Sequence, residues 1–486
     1  MKTRKFLTFL SLFVLLLLIA ACGGQPEPEA PAATEAPAEE AAPEPTEEPA
    51  EAEEAAPEPT DEPAEAEDAA PESTDEPAEA EDAAPESTEA PAEDASDAAS
   101  PEDEAAMEVA GVIKIGAALS ETGKYAREGE DVRQGYDLWA DWLNNEKGGI
   151  EVDGQLYQVE IVYYDDESDP DTTAKLVETL ITEDEVQFLL GPYSSSLTTS
   201  ASAISEKYDV IMVEGNGSSE SLFERGFQNL FAVLTPASYY TQSALEMVAE
   251  KGAKTVVIAY EDTPFPTSVA LGAEKWAAEY GLEVLAIETY PKDVADVSGI
   301  MTKFRDLNPD VFVGGGHFND ALLFTRAAKE LDFNPKAMII TVGPSNPQFA
   351  EEMGADADYI ISPTQWEAVM SYEDEWLGTA SEYGERYEGM WAESPTYQAA
   401  ESTAVGLALM AAIEQANSID TADVRQALYD LDLSTFYGPI NFDDTGKNTA
   451  KPMGAIQIQN GEIKVIAPAN AAEVDIMYPM PAWSER

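Results

Sequence analysis

The sequence is poor in cysteine, histidine and basic residues. Its 486 residues include one cysteine, one histidine and 26 lysines and arginines, against 95 aspartates and glutamates. A single cysteine excludes a disulfide within the chain. A single histidine, His317, leaves few possible bases for a nucleophilic serine. The net charge of −69 argues against nucleic acid and against anionic lipid surfaces as binding partners.

The one cysteine, Cys22, ends a short N-terminal segment. Basic residues at positions 2, 4 and 5 precede an apolar run over residues 6–21. The run is too short for an ordinary membrane span, and the order is typical of a secretory signal peptide. The residues "IAAC" at 19–22 resemble a bacterial lipobox, whose cysteine is diacylated and becomes the new N-terminus. We therefore expect residues 1–22 to be a lipoprotein signal peptide and Cys22 to carry a lipid anchor.

Residues 23–108 have the composition of a disordered stalk. They hold 32 acidic residues and 15 of the 32 prolines, and they lack basic and aromatic residues. A repeat of 14 residues begins with "EPTEEPAEAEEAAP" at residue 44 and recurs from residues 58 and 72. Large apolar residues do not recur at heptad positions, so a coiled coil is not indicated. We expect an extended acidic stalk, because the segment cannot bury enough apolar surface to fold.

From residue 109 the sequence alternates short apolar runs with helical patterns. Strands are predicted at 112–119, 157–166, 186–191 and 210–215, and helices at 129–146, 172–181 and 198–208. The alternation starts again, with strands at 255–260, 282–290, 311–316 and 337–343 and helices at 240–252, 268–281, 297–308 and 319–331. Long helices at 395–416 and 421–432 and an antiparallel hairpin over 438–466 follow. This order predicts an α/β fold of two doubly wound, parallel-sheet lobes.

Ligands of such sheets bind beyond the carboxyl ends of the strands. That rule directs attention to the turns at 120–128, 191–197, 215–220, 260–267, 316–319 and 343–346. The turn "GPYSSSL" at 191–197 has three serines where a helix begins. It lacks the G-x-S-x-G elbow of a hydrolase, and His317 lies in the other predicted lobe. The serines therefore favour capping of the helix and binding of an anion over catalysis.

Three other motifs favour structural interpretations. "FDDTGKN" at 442–448 contains one Asp-Thr-Gly triplet, whereas aspartic-protease chemistry needs two, so we predict a turn. "YYDDESDPDTT" at 163–173 lacks the spacing of a calcium loop and precedes a helix, so we predict capping. "VGGGHF" at 313–318 matches neither G-x-G-x-x-G nor a P-loop. We expect no cofactor and no metal site.

Several segments together resemble a known family. They are "IKIGAALSETGKYAREGE", "GPYSSSLTTSAS" and "VFVGGGHFNDALLFTRAAKEL", which occur in the family's order. The chain is similar over residues 110–470 to the type I periplasmic solute-binding proteins of ABC importers, in the leucine/isoleucine/valine-binding class. The resemblance implies two lobes joined by three hinge strands. Lobe one would be 109–233 plus 366–433, lobe two 234–365 plus 434–475, and residues 476–486 a C-terminal tail.

The resemblance also implies where a solute would bind. Ser195 matches the hydroxyl that grips the solute's carboxylate, and residues 216–218 match the turn that binds its carboxylate and ammonium groups. His317 and Phe265 match two tyrosines, and Ser345 matches the glutamate that pairs with the ammonium. The complete set of candidate ligand-binding residues is Tyr125, Tyr193, Ser194, Ser195, Ser196, Asn216, Gly217, Ser218, Phe265, His317, Ser345 and Trp366.

Two of these matches depart from the family's pattern. Gly217 stands in the place of a threonine, and Ser345 in that of the glutamate. An ammonium buried without a partner would cost several kcal/mol. Either another acid, such as Glu214 or Asp320, replaces the glutamate, or the solute is an aromatic or amine-free carboxylate.

We expect a lipid-anchored solute-binding subunit outside the cytoplasmic membrane, in the periplasm or at the cell surface. Its partners would be a small solute, the permease and ATPase subunits of an importer, and the membrane through the lipid anchor, but not nucleic acid. We expect no enzymatic activity in this chain. Two alternatives are a sensor module that acts through a partner receptor and a surface hydrolase that uses Ser195.

Overall fold

The computed structural model describes residues 109–486. The predicted signal peptide, Cys22 and the predicted acidic stalk lie outside the described residues. Within residues 109–486, no helix is both long enough and apolar enough to cross a membrane.

The first half of the described chain forms a six-stranded sheet in the order β2-β3-β1-β4-β5-β6. The strands are β1 Val109–Leu119, β2 Ile150–Val152, β3 Gln155–Asp165, β4 Phe188–Leu190, β5 Met212–Glu214 and β6 Leu230–Ala232. Three helices connect them: α1 Ala126–Trp142, α2 Pro170–Thr182 and α3 Ser195–Tyr208. Only β2 pairs in the antiparallel direction. The helices provide the long crossovers that parallel pairing requires.

The second half forms a seven-stranded sheet in the order β17-β16-β11-β10-β9-β7-β8. Its first strands are β7 Thr255–Glu261, β8 Glu283–Tyr290, β9 Val311–Gly315, β10 Ala337–Ile340 and β11 Ile361–Thr364. The helices of this part are α4 Gln242–Glu250, α5 Pro264–Glu279, α6 Ser298–Leu307, α7 Phe318–Glu330 and α8 Pro347–Met353. The chain later returns with β16 Gly454–Gln459 and β17 Glu462–Ala467, which pair in the antiparallel direction.

Between β11 and β16 the chain goes back to the first sheet. It forms the helices α9 Ala380–Trp391, α10 Tyr397–Ala416 and α11 Thr421–Tyr429 and two short pairs, β12 Glu373–Asp374 with β13 Gly378–Thr379 and β14 Asp432–Thr435 with β15 Gly438–Asn441. Helix α10 packs closely on α1: a Cβ on Gly406 would lie 2.1 Å from the Trp139 ring. Helix α10 is therefore a core element of the first lobe, buried along almost its whole length.

The three segments that pass between the lobes are hydrogen-bonded to one another. The Gln365 side chain donates to the Thr235 carbonyl oxygen at 3.0 Å and accepts from the Thr235 N–H at 3.2 Å. The Thr235 hydroxyl donates to the Lys451 carbonyl oxygen at 2.9 Å. Lys451 Nζ in turn contacts the main-chain oxygen of Gln365. The three crossing segments are therefore joined at one bonded junction.

The end of the chain differs from the sequence-based prediction. We expected one hairpin over 438–466 and a return to the second lobe at residue 434. Instead β15 pairs with β14, and β16 pairs with β17. Phe436, Tyr437, Ile440 and Phe442 lie in the same buried cluster as Trp139 of α1. These apolar side chains keep residues 434–442 with the first lobe, and residues 446–448 still bond to Ala232 of β6, so the chain crosses after Asn448.

Two of the motif predictions are confirmed. The Asp-Thr-Gly triplet lies in a turn, in which Asp443 Oδ1 accepts from the Thr445 N–H at 2.8 Å. In the acidic segment, Asp169 caps helix α2 by accepting from the Thr172 N–H at 2.8 Å.

Candidate functional site

A small cavity lies between the two lobes, beyond the carboxyl ends of strands from both sheets. It has about 10 Å³ of free space, room for about one water molecule. Its walls are formed by Tyr193, Asn216, Ser218, Tyr240, Phe265, His317, Val342, Tyr397 and Glu401. Five of these, Tyr193, Asn216, Ser218, Phe265 and His317, were predicted from the sequence. They come from four of the turns that the parallel-sheet rule singled out.

Aromatic rings of both lobes meet around His317. Its ring centroid lies 4.9 Å from that of Tyr125, 5.6 Å from Tyr193 and 5.4 Å from Phe265. The Tyr193 hydroxyl is 2.9 Å from His317 Nδ1. Burial lowers the pKa of His317 well below its usual value, so the imidazole is neutral. His317 therefore bonds to a tyrosine of the opposite lobe and not to a serine.

The three serines at the start of α3 hold the protein's own backbone. Ser194 has a positive φ of 78° and caps α3 by accepting from the Leu197 N–H at 3.4 Å. Ser195 Oγ accepts from the Ser219 N–H at 3.0 Å and thereby fixes the next turn. Ser196, at the second position of the helix, is partly exposed. None of the three is among the residues that line the described cavity.

The turn after β5 is organised by a buried carboxylate. Glu214 Oε2 accepts from the backbone N–H groups of Asn216, at 2.7 Å, and Gly217, at 2.6 Å. Burial raises the pKa of Glu214 to about 8. A Cβ on Gly217 would lie 2.6 Å from Thr198 Oγ1, so a glycine is needed here. The N–H groups of Asn216 and Gly217, in the turn that the resemblance assigned to a solute, are therefore bonded to Glu214.

Charged contacts between the lobes surround the cavity. Lys124 of lobe one contacts Glu261 of lobe two, and the side chain of Glu261 is fully buried. The Phe318 N–H donates to Glu128 Oε1 at 3.4 Å across the cleft. The Arg127 guanidinium lies 3.9 Å from the centroid of the Phe318 ring. These contacts hold the lobes in a closed arrangement.

A comparison with known proteins identifies the family. Residues 112–462 match the family described as periplasmic binding protein. This chain belongs to the periplasmic binding protein family. It is 25% identical over 386 residues to Leu/Ile/Val-binding protein homolog 7 of Brucella abortus, covering 76% of this chain and 94% of that protein. It is 27% identical over 384 residues to homolog 8 of the same organism, covering 74% and 91%.

Solved structures show the same fold. The branched-chain amino acid transporter substrate binding protein LivJ of Streptococcus pneumoniae, in complex with isoleucine, matches with a TM-score of 0.65, 22% identity and coverage of 76% and 100%. A solute binding protein of an ABC transporter from Rhodopseudomonas palustris, in complex with 3,4-dihydroxybenzoic acid, matches with a TM-score of 0.64, 18% identity and coverage of 76% and 98%. The predicted two-lobed type I periplasmic-binding fold is confirmed.

In this periplasmic binding protein, two predicted site residues lie away from the described cavity. Ser345 donates from its hydroxyl to the Val342 carbonyl oxygen at 2.7 Å, within the turn that precedes α8. Trp366 packs edge-on against Tyr383 and donates from Nε1 to the Phe436 carbonyl oxygen at 3.0 Å. The indole is therefore a core group of the first lobe. Tyr125 and Gly217 do not line the cavity. Tyr125 packs against Tyr193, which does line it, and Gly217 lies against Thr198.

Four residues of the lining were not predicted from the sequence: Tyr240, Val342, Tyr397 and Glu401. Tyr397 and Glu401 are four residues apart on α10, so they lie on one face of the helix. Glu401 is 1% exposed, and it is the only charged residue of α10 before Glu414. A single acid within an apolar helix is the sequence feature that could have identified Glu401 as a site residue. Asp320, considered earlier as a partner for an ammonium, instead accepts from the His317 N–H at 2.9 Å.

Proposed function

We propose that this periplasmic binding protein is the solute-binding subunit of an ABC importer. It captures an amino acid of branched-chain type, or a related small carboxylate, between its lobes and delivers it to a permease. The observation that carries the proposal is the cavity, because both lobes contribute its walls and a rotation of one lobe would open it. No step of this function requires chemistry in the chain itself.

The relatives support both classes of solute. The Brucella proteins are named for leucine, isoleucine and valine, and the Streptococcus structure holds isoleucine. The two Rhodopseudomonas palustris structures hold 3,4-dihydroxybenzoic acid and benzoate, which lack an amine. The cavity of this chain has hydroxyl donors for a carboxylate and aromatic rings for an apolar group.

The location outside the cytoplasm agrees with the family, and a lipid anchor at Cys22 is part of the proposal. The lipobox-like "IAAC" and the acidic repeat of residues 23–108 support a tethered protein whose binding lobes stand away from the membrane.

The proposal is tested by screening the purified protein against amino acids and small carboxylates with thermal shift and calorimetry. A solute at 100 times its dissociation constant raises the free energy of unfolding by about 2.7 kcal/mol. We expect micromolar binding, and a smaller radius of gyration by small-angle scattering when the solute closes the lobes. The variant Phe265→Ala, which removes a wall of the cavity, should weaken binding. Failure of every member of a broad panel to bind would contradict the proposal.

A further inference from the structure

Glu401 places a carboxylate in the cavity wall. The residue is 1% exposed, and the Tyr437 hydroxyl donates to its Oε2 atom at 3.0 Å. Burial raises its pKa well above the usual range. The cation whose charge acts on it is Lys451, whose Nζ contacts the main-chain oxygen of Gln365. Lys451 offsets only part of the cost of burial, so ionisation of Glu401 would be favoured further by a cation bound in the cavity.

Asn216 adds a second acceptor to the same wall. Its Oδ1 atom is buried and has no hydrogen-bond partner among the described residues. The orientation of the amide follows from its neighbours. The Ser402 hydroxyl donates its only hydrogen to the Gln398 carbonyl oxygen at 2.7 Å, so it must accept from Asn216, whose Nδ2 lies 3.1 Å away. The amide oxygen is therefore the atom that remains available.

Glu401 and Asn216 Oδ1 are hydrogen-bond acceptors that the protein's own donors do not fill. They therefore suit a ligand group that only donates hydrogen bonds. A primary ammonium has three N–H donors and no acceptor. A carboxylate group of a solute has no donor and would leave Asn216 Oδ1 unbonded, and it would not favour the ionised form of Glu401. The cavity's donors are hydroxyl groups on other residues, those of Tyr193, Ser218, Tyr240 and Tyr397.

We propose that Glu401 and Asn216 Oδ1 form an ammonium-binding subsite in lobe one, so that the solute is an amino acid or another small molecule with a primary amine. This inference rests on the proposed solute-binding function and narrows it. In the family's pattern, the glutamate that pairs with the ammonium is at the position of Ser345, in a turn of the second lobe. In this chain the carboxylate would come from Glu401, on a helix of the first lobe. Glu401 and Asn216 are then the residues that determine specificity.

The test uses calorimetry on the full chain with matched pairs of probes: leucine, isoleucine, valine and phenylalanine, and their amine-free counterparts 4-methylpentanoate, 3-methylpentanoate, 3-methylbutanoate and 3-phenylpropanoate. We expect the wild type to bind at least one amino acid at least tenfold more tightly than its counterpart. Glu401→Gln, which keeps an oxygen for the Tyr437 hydroxyl, should lose that discrimination. Glu246→Gln, an exposed acid on α4, is the control and should retain it.

The outcomes separate the two proposals. If the wild type prefers the amine-free series, the ammonium subsite is refuted and the solute-binding function stands. The subsite is also refuted if a folded Glu401→Gln variant keeps the full preference for the amine. If neither series binds, the proposed function fails for these solutes and the narrower inference falls with it. Because the comparison of paired probes uses the wild type, a variant that does not fold leaves the inference testable.

Discussion

At the scale of single residues, Glu214 makes the stability of the fold depend on pH. Its pKa is about 8 in the folded protein against 4.5 for an ordinary glutamate. Below pH 4.5 both the folded and unfolded states are protonated, and there is no penalty. Between these values folding takes up a proton, so the free energy of unfolding falls by at most about 1.4 kcal/mol per pH unit. Above pH 8 the penalty is constant.

Glu214→Gln keeps an acceptor for the N–H groups of Asn216 and Gly217 but cannot ionise. We expect this variant to lose less stability than the wild type between pH 5 and pH 8, measured by urea denaturation. Glu246→Gln, an exposed substitution, should follow the wild type. An equal loss in Glu214→Gln and the wild type would show that this carboxyl group does not titrate in that range.

The residues that sequence reasoning found share a local signal. Tyr193, Asn216 and His317 each follow a predicted strand of a parallel sheet, and that position alone brings them to the cleft. Glu401 lies on α10 and Tyr240 follows a segment that crosses between the lobes. Their positions depend on where the chain crosses from one lobe to the other, and the spacing within a single βαβ unit does not show where that happens. Of the two roles predicted for the serine run, helix capping is seen at Ser194, whereas Ser195 Oγ accepts from the Ser219 N–H.

At the scale of elements, the contact between α1 and α10 gives the first lobe its core. Gly406 allows the close approach, since a Cβ would lie 2.1 Å from Trp139. We expect Gly406→Ala to lower the free energy of unfolding by about 1–3 kcal/mol, because the ring must move in a packed interior. The measurement is urea denaturation followed by tryptophan fluorescence.

The matched control for that substitution is Gly389→Ala in α9, where a Cβ meets no atom within 4 Å. An exposed helical glycine is less favourable than alanine, so this change should raise stability by about 0.5–1 kcal/mol. Equal stability of Gly406→Ala and the wild type would contradict the tight contact.

The elements themselves were largely predictable. Strands such as β7 and β9 are short runs of valine and isoleucine or phenylalanine, and the helices between them have a clear apolar periodicity. The C-terminal part was harder because β15 and β16 are both short strands in one stretch. Sequence alone did not show that β15 pairs backward with β14 in the first lobe.

At the scale of the whole molecule, we expect closure of the lobes to depend on a buried pair of charges. Lys124 contacts Glu261, with side chains that are 12% and 0% exposed. Lys124→Met leaves Glu261 uncompensated in the closed form, whereas opening lets water reach it. We expect a loss of solute affinity of at least tenfold, mainly through faster dissociation, and a larger radius of gyration at the same solute concentration.

The double variant Lys124→Met/Glu261→Gln removes both charges and should recover much of that affinity. Lys303→Met is the control: it breaks a pair with Glu288 within lobe two, where the lysine side chain is 54% exposed, and should not change binding. Wild-type affinity in Lys124→Met would show that this contact does not favour the closed form.

The bonded junction of Thr235, Gln365 and Lys451 acts as a pivot. Because all three crossing segments are joined there, one lobe cannot slide past the other without breaking those bonds, but it can swing. The walls of the cavity lie away from this junction. A small rotation about the crossing segments would therefore separate the lobes widely at the cavity. We therefore expect the lobes to rotate about this junction, so that the open and closed states differ mainly in the angle between the lobes.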